Sequence, residues 1–571
     1  MQPRSLTPEL SVAPQIEVAD VATLAAQGFR SIVCNRPDGE GADQPAHEEI
    51  ARAAQAAGLR LHYLPVESGK VDDATARQFG ALMDELPKPV FAYCRTGMRS
   101  ATLWALSQAD RRPLPEILDR ARQAQYDLSA VVRRIANGGR TPLDKADFHH
   151  QVVIVGGGAA GIAAASSLLR RDPTLDVAII DPADVHYYQP GWTLVGAGVF
   201  DPKFTARTMA SLIPRGAHWI KAAVAAFEPQ ANAVILDGCR VVSYEQLIVC
   251  PGLKLDWTGI DGLAETLGRN GVTSNYRYDL APYTWELVQG LRSGRALFTQ
   301  PPMPIKCAGA PQKAMYLACD AWRRAGVLEN VDVEFRNAGG ALFGVADYVP
   351  ALMDYVERYG IDLALNSNLV AIDGPNRTAT FRTMTGDREG ELVERRFDMI
   401  HVCPPQCAPD FVRTSPLAND AGWIDVSPET LQHTRYGNVF ALGDACSAPN
   451  AKTAAAVRAQ APVVAENAIA VLEGRKPRRV YNGYGSCPLT VERGRIVLAE
   501  FGYGGKLLPT FPQWLVDGRR PTRLAWILKE KMLPWIYFEA LLKGREWLIR
   551  PERLAHSPAG FEAQEALPTD R

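Results

Sequence analysis

The chain has 571 residues, of which 47% are hydrophobic and 22% are charged, and its formal net charge is −1 at pH 7. This length is enough for several domains with buried cores, and the composition excludes a largely disordered chain. The nearly balanced charge gives no support to nucleic-acid binding. The sequence contains no run of about 18 apolar residues, so we predict no membrane-spanning helix.

The N-terminus and the cysteines indicate a reducing environment. The first residues, MQPRSLTPEL, contain no apolar core of the signal-peptide type, so we expect no export. Scattered cysteines in such a chain are expected to be reduced thiols rather than structural disulfides. The ten cysteines are Cys34, Cys94, Cys239, Cys250, Cys307, Cys319, Cys403, Cys407, Cys446 and Cys487. Cys403 and Cys407 lack a second pair at zinc-ligand spacing, so we predict no metal site.

The chain divides into four predicted segments. Residues 1–130 alternate between apolar strands and helix-forming runs, which predicts a small parallel α/β domain. Residues 131–150 are rich in turn formers and are predicted to be a linker. A larger domain follows at 151–505, and 506–571 form a C-terminal tail. In the first domain we expect strands at 30–34, 61–66 and 89–93, and helices at 47–58, 72–86 and from Ala101.

A candidate nucleophile lies in the loop Cys94–Ser100, between a predicted strand and a predicted helix. The successive amides of such a loop can surround an anion, and Arg99 adds a positive charge. Both features lower the pKa of a thiol, so Cys94 and Arg99 are predicted to be catalytic.

The length of this loop bears on its chemistry. Four residues separate Cys94 from Arg99 and Tyr93 precedes the cysteine, whereas protein tyrosine phosphatases have five residues and a preceding histidine. The loop resembles that of rhodanese sulfurtransferases, while residues 5–115 resemble the phosphatase-like domain found beside persulfide-handling enzymes. The resemblance favours sulfur transfer, and a phosphatase or a non-catalytic sulfur-binding module remain alternatives.

A dinucleotide-binding pattern opens the larger domain. The apolar strand Val152–Val155 leads into a G-x-G-x-x-G sequence, a helix-forming run, and a second strand that ends in Asp181. The first glycine permits a tight turn, the second lets the backbone approach a pyrophosphate, and the third allows close packing of the helix, while the acid binds a ribose hydroxyl. The predicted cofactor-binding residues are Gly156, Gly158, Ala159, Ala160, Gly161 and Asp181.

Two later segments resemble motifs of flavoproteins with two dinucleotide-binding domains. Tyr244–Gly252 resembles their "ATG" strand, and Thr434–Asp444 resembles their second FAD motif. The resemblance implies a Rossmann-type fold that binds FAD, with Gly252, Gly443 and Asp444 as ligands. The loop at 300–311 carries a cysteine and no second phosphate fingerprint, so NAD(P)H binding is not expected.

Five further motifs resemble sulfide:quinone oxidoreductases, in the branch that includes the mitochondrial enzyme. They cover residues 150–550 in order: His186–Pro190, Trp192–Gly198, Lys306–Lys313, Lys452–Ala456 and Tyr484–Leu489. Within the fourth motif, Lys452 and Thr453 are candidate flavin contacts.

This resemblance implies a redox disulfide between Cys307 and Cys487 beside FAD. Sulfide attacks the disulfide and leaves a persulfide on Cys487, Cys307 reacts with the flavin, and the electrons pass to a quinone. A small thiol such as glutathione takes the sulfur, and Cys94 can then accept it. The competing interpretation is an NAD(P)H-dependent flavoprotein that reduces disulfides or persulfides.

The tail alternates apolar and basic residues between Trp526 and Ile549, with Pro534 dividing two predicted amphipathic helices. Such a pattern can lie in a membrane interface, although packing on the protein's own core or on another subunit remains an alternative. We expect a peripheral protein on the cytoplasmic side of a bacterial inner membrane. The oligomeric state stays open, with a homo-oligomer among the alternatives.

Overall fold

The computed structural model describes residues 3–41, 44–67, 71–140, 146–237, 240–449, 451–547, 549 and 551–553. Cys239, part of the predicted linker at 141–145 and the last part of the predicted tail from 554 lie outside the described residues. The chain forms two compact units. The first comprises Met1–His150, Lys221–Tyr244 and Pro409–Trp423, and the second comprises Gln151–Ile220, Glu245–Ala408 and Ile424–Arg571.

The strands are short, as the frequent turns of the sequence require. In chain order they are β1 (Arg4–Thr7), β2 (Leu10–Ala13), β3 (Ser31–Cys34), β4 (Arg60–Tyr63), β5 (Val90–Tyr93), β6 (Phe148–Val155), β7 (Val177–Ile180), β8 (Val185–Tyr187), β9 (Ala206–Thr208), β10 (Ala217–Ile220), β11 (Val224–Glu228), β12 (Ala233–Leu236), β13 (Val241–Val249), β14 (Lys254–Leu255), β15 (Val272–Thr273), β16 (Gly294–Gln300), β17 (Val331–Asn337), β18 (Asp362–Ala364), β19 (Ser367–Asp373), β20 (Thr378–Thr383), β21 (Leu392–Arg396), β22 (Met399–His401), β23 (Gln406–Cys407), β24 (Val439–Ala441), β25 (Arg479–Val480), β26 (Gly485–Glu492), β27 (Arg495–Phe501) and β28 (Glu552–Arg553).

The helices lie between single strands or groups of strands along the chain. They are α1 (Asp20–Ala26), α2 (His47–Ala56), α3 (Asp73–Glu85), α4 (Met98–Ser107), α5 (Leu114–Gln123), α6 (Val132–Ala136), α7 (Ala159–Arg171), α8 (Trp192–Val195), α9 (Leu263–Thr266), α10 (Ala281–Gly290), α11 (Ala310–Arg324), α12 (Val349–Arg358), α13 (Asp410–Arg413), α14 (Ala454–Leu472), α15 (Arg523–Ile527) and α16 (Leu533–Trp535). Two π-helical turns, Leu528–Met532 and Ile536–Ala540, continue α15 and α16.

The first unit is built on a five-stranded sheet in the order β1-β2-β5-β3-β4, in which all pairs except β1–β2 are parallel. Alternate side chains of β5 enter two different cores: Val90 and Ala92 pack on one face, and Phe91 and Tyr93 pack on the other. Helices cover both faces because a parallel sheet must be buried on both sides. The central strand β5 therefore delivers the Cys94 loop to the carboxyl edge of the sheet.

The second unit contains two sheets in which most strands are parallel. In the first, strands lie in the order β10-β7-β6-β13, and β24 pairs with β13. The β6–α7–β7 crossover belongs to this sheet, with β6 and β7 parallel. The second sheet has the order β15-β22-β16-β17-β18 and is parallel throughout. The predicted α/β class is thus confirmed.

The hairpin β26–β27 lies against α11 and shares one hydrophobic core with the second parallel sheet. This core contains Phe298 and Phe335 from the sheet, Trp322 from α11, and Cys487 and Leu489 from β26. The strand β26 therefore reaches the helix that follows β16, which brings two distant parts of the chain together.

Several predicted boundaries differ from the structure. Helix α4 begins at Met98 rather than at Ala101, so the Cys94 loop is shorter than predicted. The predicted linker contains α6 and the start of β6, and residues 221–244 and 409–423 belong to the first unit. Pro534 lies in the first turn of α16, where a proline is tolerated, so the helical tail continues through it. Within the described residues, no helix combines the length and the apolar composition needed to cross a bilayer.

Candidate active site

The turn after β6 requires glycine at two positions. Gly156 has φ 106°, and a Cβ added there would lie 2.5 Å from the carbonyl oxygen of Cys250. A Cβ on Gly161 would lie 1.8 Å from the carbonyl oxygen of Gly156. Both distances are too short for a carbon atom, so the tight turn and the close approach of α7 depend on these glycines.

The N-terminus of α7 presents free backbone amides. Gly158 is the N-cap and supplies no side chain, and a Cβ added there would meet nothing within 4 Å. Ala159 and Ala160 form the first turn and line a cavity of about 450 Å³. The carboxylate of Asp181 also lines this cavity and accepts a hydrogen bond from the Gly157 amide at 2.6 Å. The uncapped amides and the positive end of the helix suit a pyrophosphate group.

The same cavity extends to a second helix N-terminus. Thr453 is the N-cap of α14 and its hydroxyl accepts a hydrogen bond from the Ala456 amide. Lys452 donates hydrogen bonds to the carbonyl oxygens of Asp444 and Cys446, at 2.7 and 3.1 Å. Burial raises the pKa of the Asp444 carboxyl, an effect that Lys452 and Lys306 oppose. Gly252 and Gly443 line the cavity with positive φ angles of 79° and 73°.

These features fit an extended dinucleotide such as FAD. Two helix N-termini line the cavity, and the Asp181 carboxylate lies beside the glycine turn. Five buried polar atoms of wall residues have no hydrogen-bond partner in the described part of the chain: Trp192 Nε1, Thr193 Oγ1, Asn275 Oδ1, Asn275 Nδ2 and Arg458 Nε. A polar ligand therefore suits this cavity better than a purely apolar one.

Two cysteines meet at the edge of the cavity. Cys307 lies in the loop between β16 and α11, and Cys487 lies on β26; their sulfur atoms are 3.6 Å apart although the residues are separated by 180 positions. Cys307 has φ 49°, an uncommon value for a residue with a side chain, and its amide donates to the carbonyl oxygen of Lys452. Backbone strain of this kind is typical of functional positions.

A buried lysine lies close to both cysteine sulfur atoms. Lys313, on the first turn of α11, places its Nζ 3.0 Å from the Cys307 sulfur and 3.8 Å from the Cys487 sulfur. The hydrogen bond with Cys487, and then the Lys313 ammonium, hold the pKa of Cys307 well below its ordinary value against the effect of burial. The same hydrogen bond and burial raise the pKa of Cys487. Of the two sulfur atoms, the Cys307 sulfur is the one with the lowered pKa and the one nearer the Lys313 ammonium.

Sequence reasoning missed the roles of two lysines. Lys313 ends the motif Lys306–Lys313 and was given no role, although it lies only six residues after Cys307. Lys529 was assigned to the basic face of the tail, but the structure buries it in the cavity wall, where Nζ donates to the carbonyl oxygen of Pro190 at 2.9 Å. Burial, and then Lys313, lower the pKa of Lys529 to about 7.

Lys306 and four further cysteines can be placed as well. Lys306 donates to the side chain of Gln189 at 2.6 Å, and burial lowers its pKa. Cys250 and Cys403 are buried, and burial raises the pKa of both thiols. Cys319 and Cys446 are also buried. A high thiol pKa disfavours the nucleophilic thiolate.

The Cys94 loop belongs to the first unit. Cys94 follows β5 directly and is buried, and the Gly97 amide donates to its sulfur at 3.2 Å. Gly97 has φ 87° and is the N-cap of α4, so the sulfur lies beside the positive end of that helix. Arg99, on the first turn of α4, is also buried and forms an ion pair with Glu40. The loop thus combines one sulfur, one amide donor and one guanidinium.

Comparison with known proteins begins with the class. Residues 150–468 match the family model described as pyridine nucleotide-disulphide oxidoreductase. The mitochondrial sulfide:quinone oxidoreductase of Mus musculus is 39% identical over 396 residues, which cover 69% of this chain and 87% of that protein. The sulfide:quinone oxidoreductase of Aquifex aeolicus has the same fold, with TM-score 0.58 and 19% identity over 72% of this chain and 98% of that chain.

The chain therefore belongs to the sulfide:quinone oxidoreductase family, and the resemblance seen in its motifs is confirmed. It is an oxidoreductase, and membership of this family implies a flavin cofactor.

The N-terminal part has different relatives. Residues 2–111 match the phosphatase-like domain of beta-lactamase hydrolase-like proteins. A beta-lactamase hydrolase-like protein of Agrobacterium fabrum is 39% identical over 126 residues, which cover 22% of this chain and 29% of that protein. The predicted phosphatase-like domain is confirmed.

Proposed function

We propose that the second unit oxidises sulfide to a persulfide with Cys307, Cys487 and bound FAD, and passes the electrons to a quinone. The observation that carries this proposal is the pair of sulfur atoms 3.6 Å apart, at the edge of the cavity that fits FAD. The relatives named for sulfide:quinone oxidoreduction support the choice of substrates.

The oxidised protein holds a disulfide between the two cysteines. Hydrosulfide attacks the Cys487 sulfur, a new S–S bond forms, and the old bond breaks with its electron pair leaving on Cys307. The products are a Cys487 persulfide, which keeps the proton of hydrosulfide, and a Cys307 thiolate. Lys313, 3.0 Å from the Cys307 sulfur, stabilises the thiolate as it forms.

A small thiolate such as glutathione then attacks the outer sulfur of the Cys487 persulfide and leaves Cys487 as a thiolate. Bound FAD supplies a two-electron acceptor that allows the disulfide to form again, and a quinone takes the electrons from it. Gly156, Gly158, Ala159, Ala160, Gly161 and Asp181 are proposed to hold the dinucleotide, together with Gly252, Gly443, Asp444, Lys452 and Thr453.

The C-terminal tail has features that would let a quinone enter the cavity from a membrane surface. Leu524, Ile527, Met532 and Trp535 are each about half exposed. On other positions of the same helical stretch, Leu528, Leu533, Ile536 and Tyr537 line the cavity. One segment thus offers an apolar outer surface and an apolar wall, which suits a peripheral protein that draws quinone from a membrane surface.

We assign sulfur transfer to the first unit. The Cys94 thiolate attacks the outer sulfur of a small-thiol persulfide, R–S–SH, which forms a Cys94 persulfide and releases RS⁻. The Gly97 amide at 3.2 Å from the sulfur supports the thiolate. Substitution of Cys94 by serine tests this role, since it should abolish sulfur transfer from glutathione persulfide to cyanide. Hydrolysis of a phosphate ester by the parent chain would instead favour a phosphatase.

The oxidation is tested by anaerobic titration of the FAD-loaded chain with sulfide, followed in the visible spectrum of the flavin. We expect sulfide to bleach the flavin of the parent chain and not of Cys487→Ser. NADH should bleach neither protein. Bleaching by NADH but not by sulfide would support the competing disulfide or persulfide reductase.

A further inference from the structure

A basic group of the C-terminal tail lies in the wall of the cavity. Lys529 belongs to the π-helical turn Leu528–Met532, is only 3% exposed, and lines the same cavity as Cys307 and Lys313. Its Nζ donates to the carbonyl oxygen of Pro190 at 2.9 Å, which fixes the position of the amine. The steps proposed for sulfide oxidation give this buried group no role.

The surroundings of Lys529 favour its uncharged form. The charged and titratable groups that act on it are Lys313 on α11, Cys307 on the loop before α11, and Cys487 on β26. Burial, and then the Lys313 ammonium, lower the pKa of Lys529, and the two cysteines raise it by less, so the value is about 7. Because burial and a neighbouring cation both disfavour an ammonium ion, Lys529 is a neutral amine in a substantial fraction of molecules at neutral pH.

Two other lysines that line the cavity are less able to accept a proton. Burial lowers the pKa of Lys306 and Lys452, but the Asp444 carboxylate is among the groups that oppose this effect. Both side chains also donate to oxygen atoms, Lys306 to Gln189 and Lys452 to two carbonyl groups. In the described part of the chain, the groups that act on the pKa of Lys529 include no carboxylate.

The oxidised protein, which is the form that reacts with sulfide, favours a neutral amine still more. A disulfide removes both thiols, and with them the effects that raise the pKa of Lys529. Burial lowers the pKa of Lys313, but the same cysteines outweigh it and hold this pKa above its ordinary value. When the disulfide forms, two buried and interacting amines remain without a thiol, and Lys529, with the lower pKa, gives up its proton first.

Sulfide in water consists of neutral H₂S and the hydrosulfide anion HS⁻, and each form has one advantage. The anion is the nucleophile that attacks a disulfide. The neutral molecule enters a cavity more easily, because it loses less hydration than an ion does. A base inside the cavity combines the two advantages, and it works best when its pKa lies near the working pH.

We propose that Lys529 is a further catalytic residue of sulfide oxidation: its neutral amine takes a proton from H₂S, and the resulting ammonium holds HS⁻ beside the disulfide. An S–H bond breaks and an N–H bond forms, so two neutral groups become an ion pair. HS⁻ then attacks the Cys487 sulfur, and the ammonium returns its proton to water after the sulfur has left the cavity. The inference rests on the proposed sulfide oxidation, and it makes the tail part of the active site.

The experiment follows a single reduction of the flavin by sulfide in the FAD-loaded full chain, without oxygen or quinone, at pH 7 and at pH 9. Lys529→Met removes the base. Lys529→Arg keeps a positive charge but cannot accept a proton, because a guanidinium stays protonated. Lys531→Met is the matched control, since it removes a lysine of the same helical turn whose side chain is 71% exposed.

At pH 7 both Lys529 variants should react at least about ten-fold more slowly than the parent and the control. The difference should shrink towards pH 9, where most sulfide in solution is already HS⁻ and needs no base. Parent rates in both Lys529 variants at pH 7, or a parent rate in Lys529→Arg alone, would overturn the role as a base.

Two further outcomes are distinguishable from these. Lys529→Gln, which keeps a donor for the Pro190 carbonyl, gives the same comparison if Lys529→Met retains less FAD than the parent. A flavin that sulfide does not reduce in the parent at either pH would instead overturn the proposed oxidation, and the role of Lys529 with it.

Discussion

Cys94 and the Cys307–Cys487 pair both place sulfur next to a positive charge, but the chain builds the two sites differently. Around Cys94, the amide donor and the arginine come from one short loop and the first turn of the next helix. Around Cys307, the second sulfur comes from 180 residues away and the lysine from a buried helix face. A local site can be transferred between folds as one segment, whereas the paired site exists only when the whole second unit is folded.

The positive charges at the two sites also have different partners. The positive charge of Arg99 is already bound to Glu40, while the Lys313 ammonium contacts only sulfur atoms among the hydrogen bonds described for its side chain. A bound guanidinium positions a loop, and a free ammonium lowers the pKa of a thiol directly. We therefore expect the two sites to respond differently to substitution.

The largest expected effect separates the two sites completely. Cys307→Ser should lower the rate of flavin reduction by sulfide by about a thousand-fold or more, because no disulfide can form. Sulfur transfer from glutathione persulfide to cyanide should stay at the parent rate. Cys94→Ser should give the reverse pattern. Stopped-flow absorbance and cyanide consumption measure the two rates, and a loss of both activities in one variant would show that the sites are not independent.

Substitution of Lys313 should have the next largest effect. Lys313→Met keeps the volume and removes the charge, so the rate of flavin reduction should fall by about a hundred-fold. The pKa of Cys307 should rise, because the ammonium that lowers it is gone. At a given pH a smaller fraction of Cys307 would then be thiolate, and its reactivity would return at higher pH.

The pH dependence of Cys307 alkylation, followed by mass spectrometry after reduction, measures this shift without the ionisation of sulfide. Lys313→Arg is the control, since it keeps the charge. An unchanged alkylation profile in Lys313→Met would show that Lys313 does not set the ionisation of Cys307.

Local signals made part of this architecture readable from the sequence. The Rossmann turn was predicted from the order of strand, glycines, helix and acid, and the structure shows that Gly156 and Gly161 have no room for a side chain. Lys529 could not be assigned, because its spacing in the tail is that of a solvated amphipathic face and only the fold buries it. The ion pair between Glu40 and Arg99 was also hidden, since an acid 59 residues before Arg99 gives no local signal. Contacts across long separations depend on tertiary packing rather than on pattern.

The glycine turn offers a test of the second unit alone. Gly161→Ala should destabilise that unit by about 2 kcal/mol, because its Cβ would lie 1.8 Å from the Gly156 oxygen and the turn must move. The purified variant should also retain less FAD. Gly290→Ala is the control, because a Cβ there meets nothing within 4 Å. Differential scanning calorimetry and the flavin-to-protein absorbance ratio give the two readouts. A variant with the stability and FAD content of the control would contradict the steric role.

The smallest expected effect concerns the tail. Ile527→Ser combined with Trp535→Ser removes two half-exposed apolar side chains and should weaken binding to vesicles of phosphatidylethanolamine and phosphatidylglycerol by about ten-fold. Cosedimentation measures this binding. Sulfide oxidation with a water-soluble quinone should be unchanged, because neither residue lines the cavity.

The control is Leu392→Ser, an equally exposed apolar residue on β21 of the same unit. If the double variant and the control bind vesicles equally, the exposed face of the tail serves a protein contact rather than a membrane. If turnover with the soluble quinone falls as well, the tail shapes the cavity and its outer surface cannot be separated from catalysis.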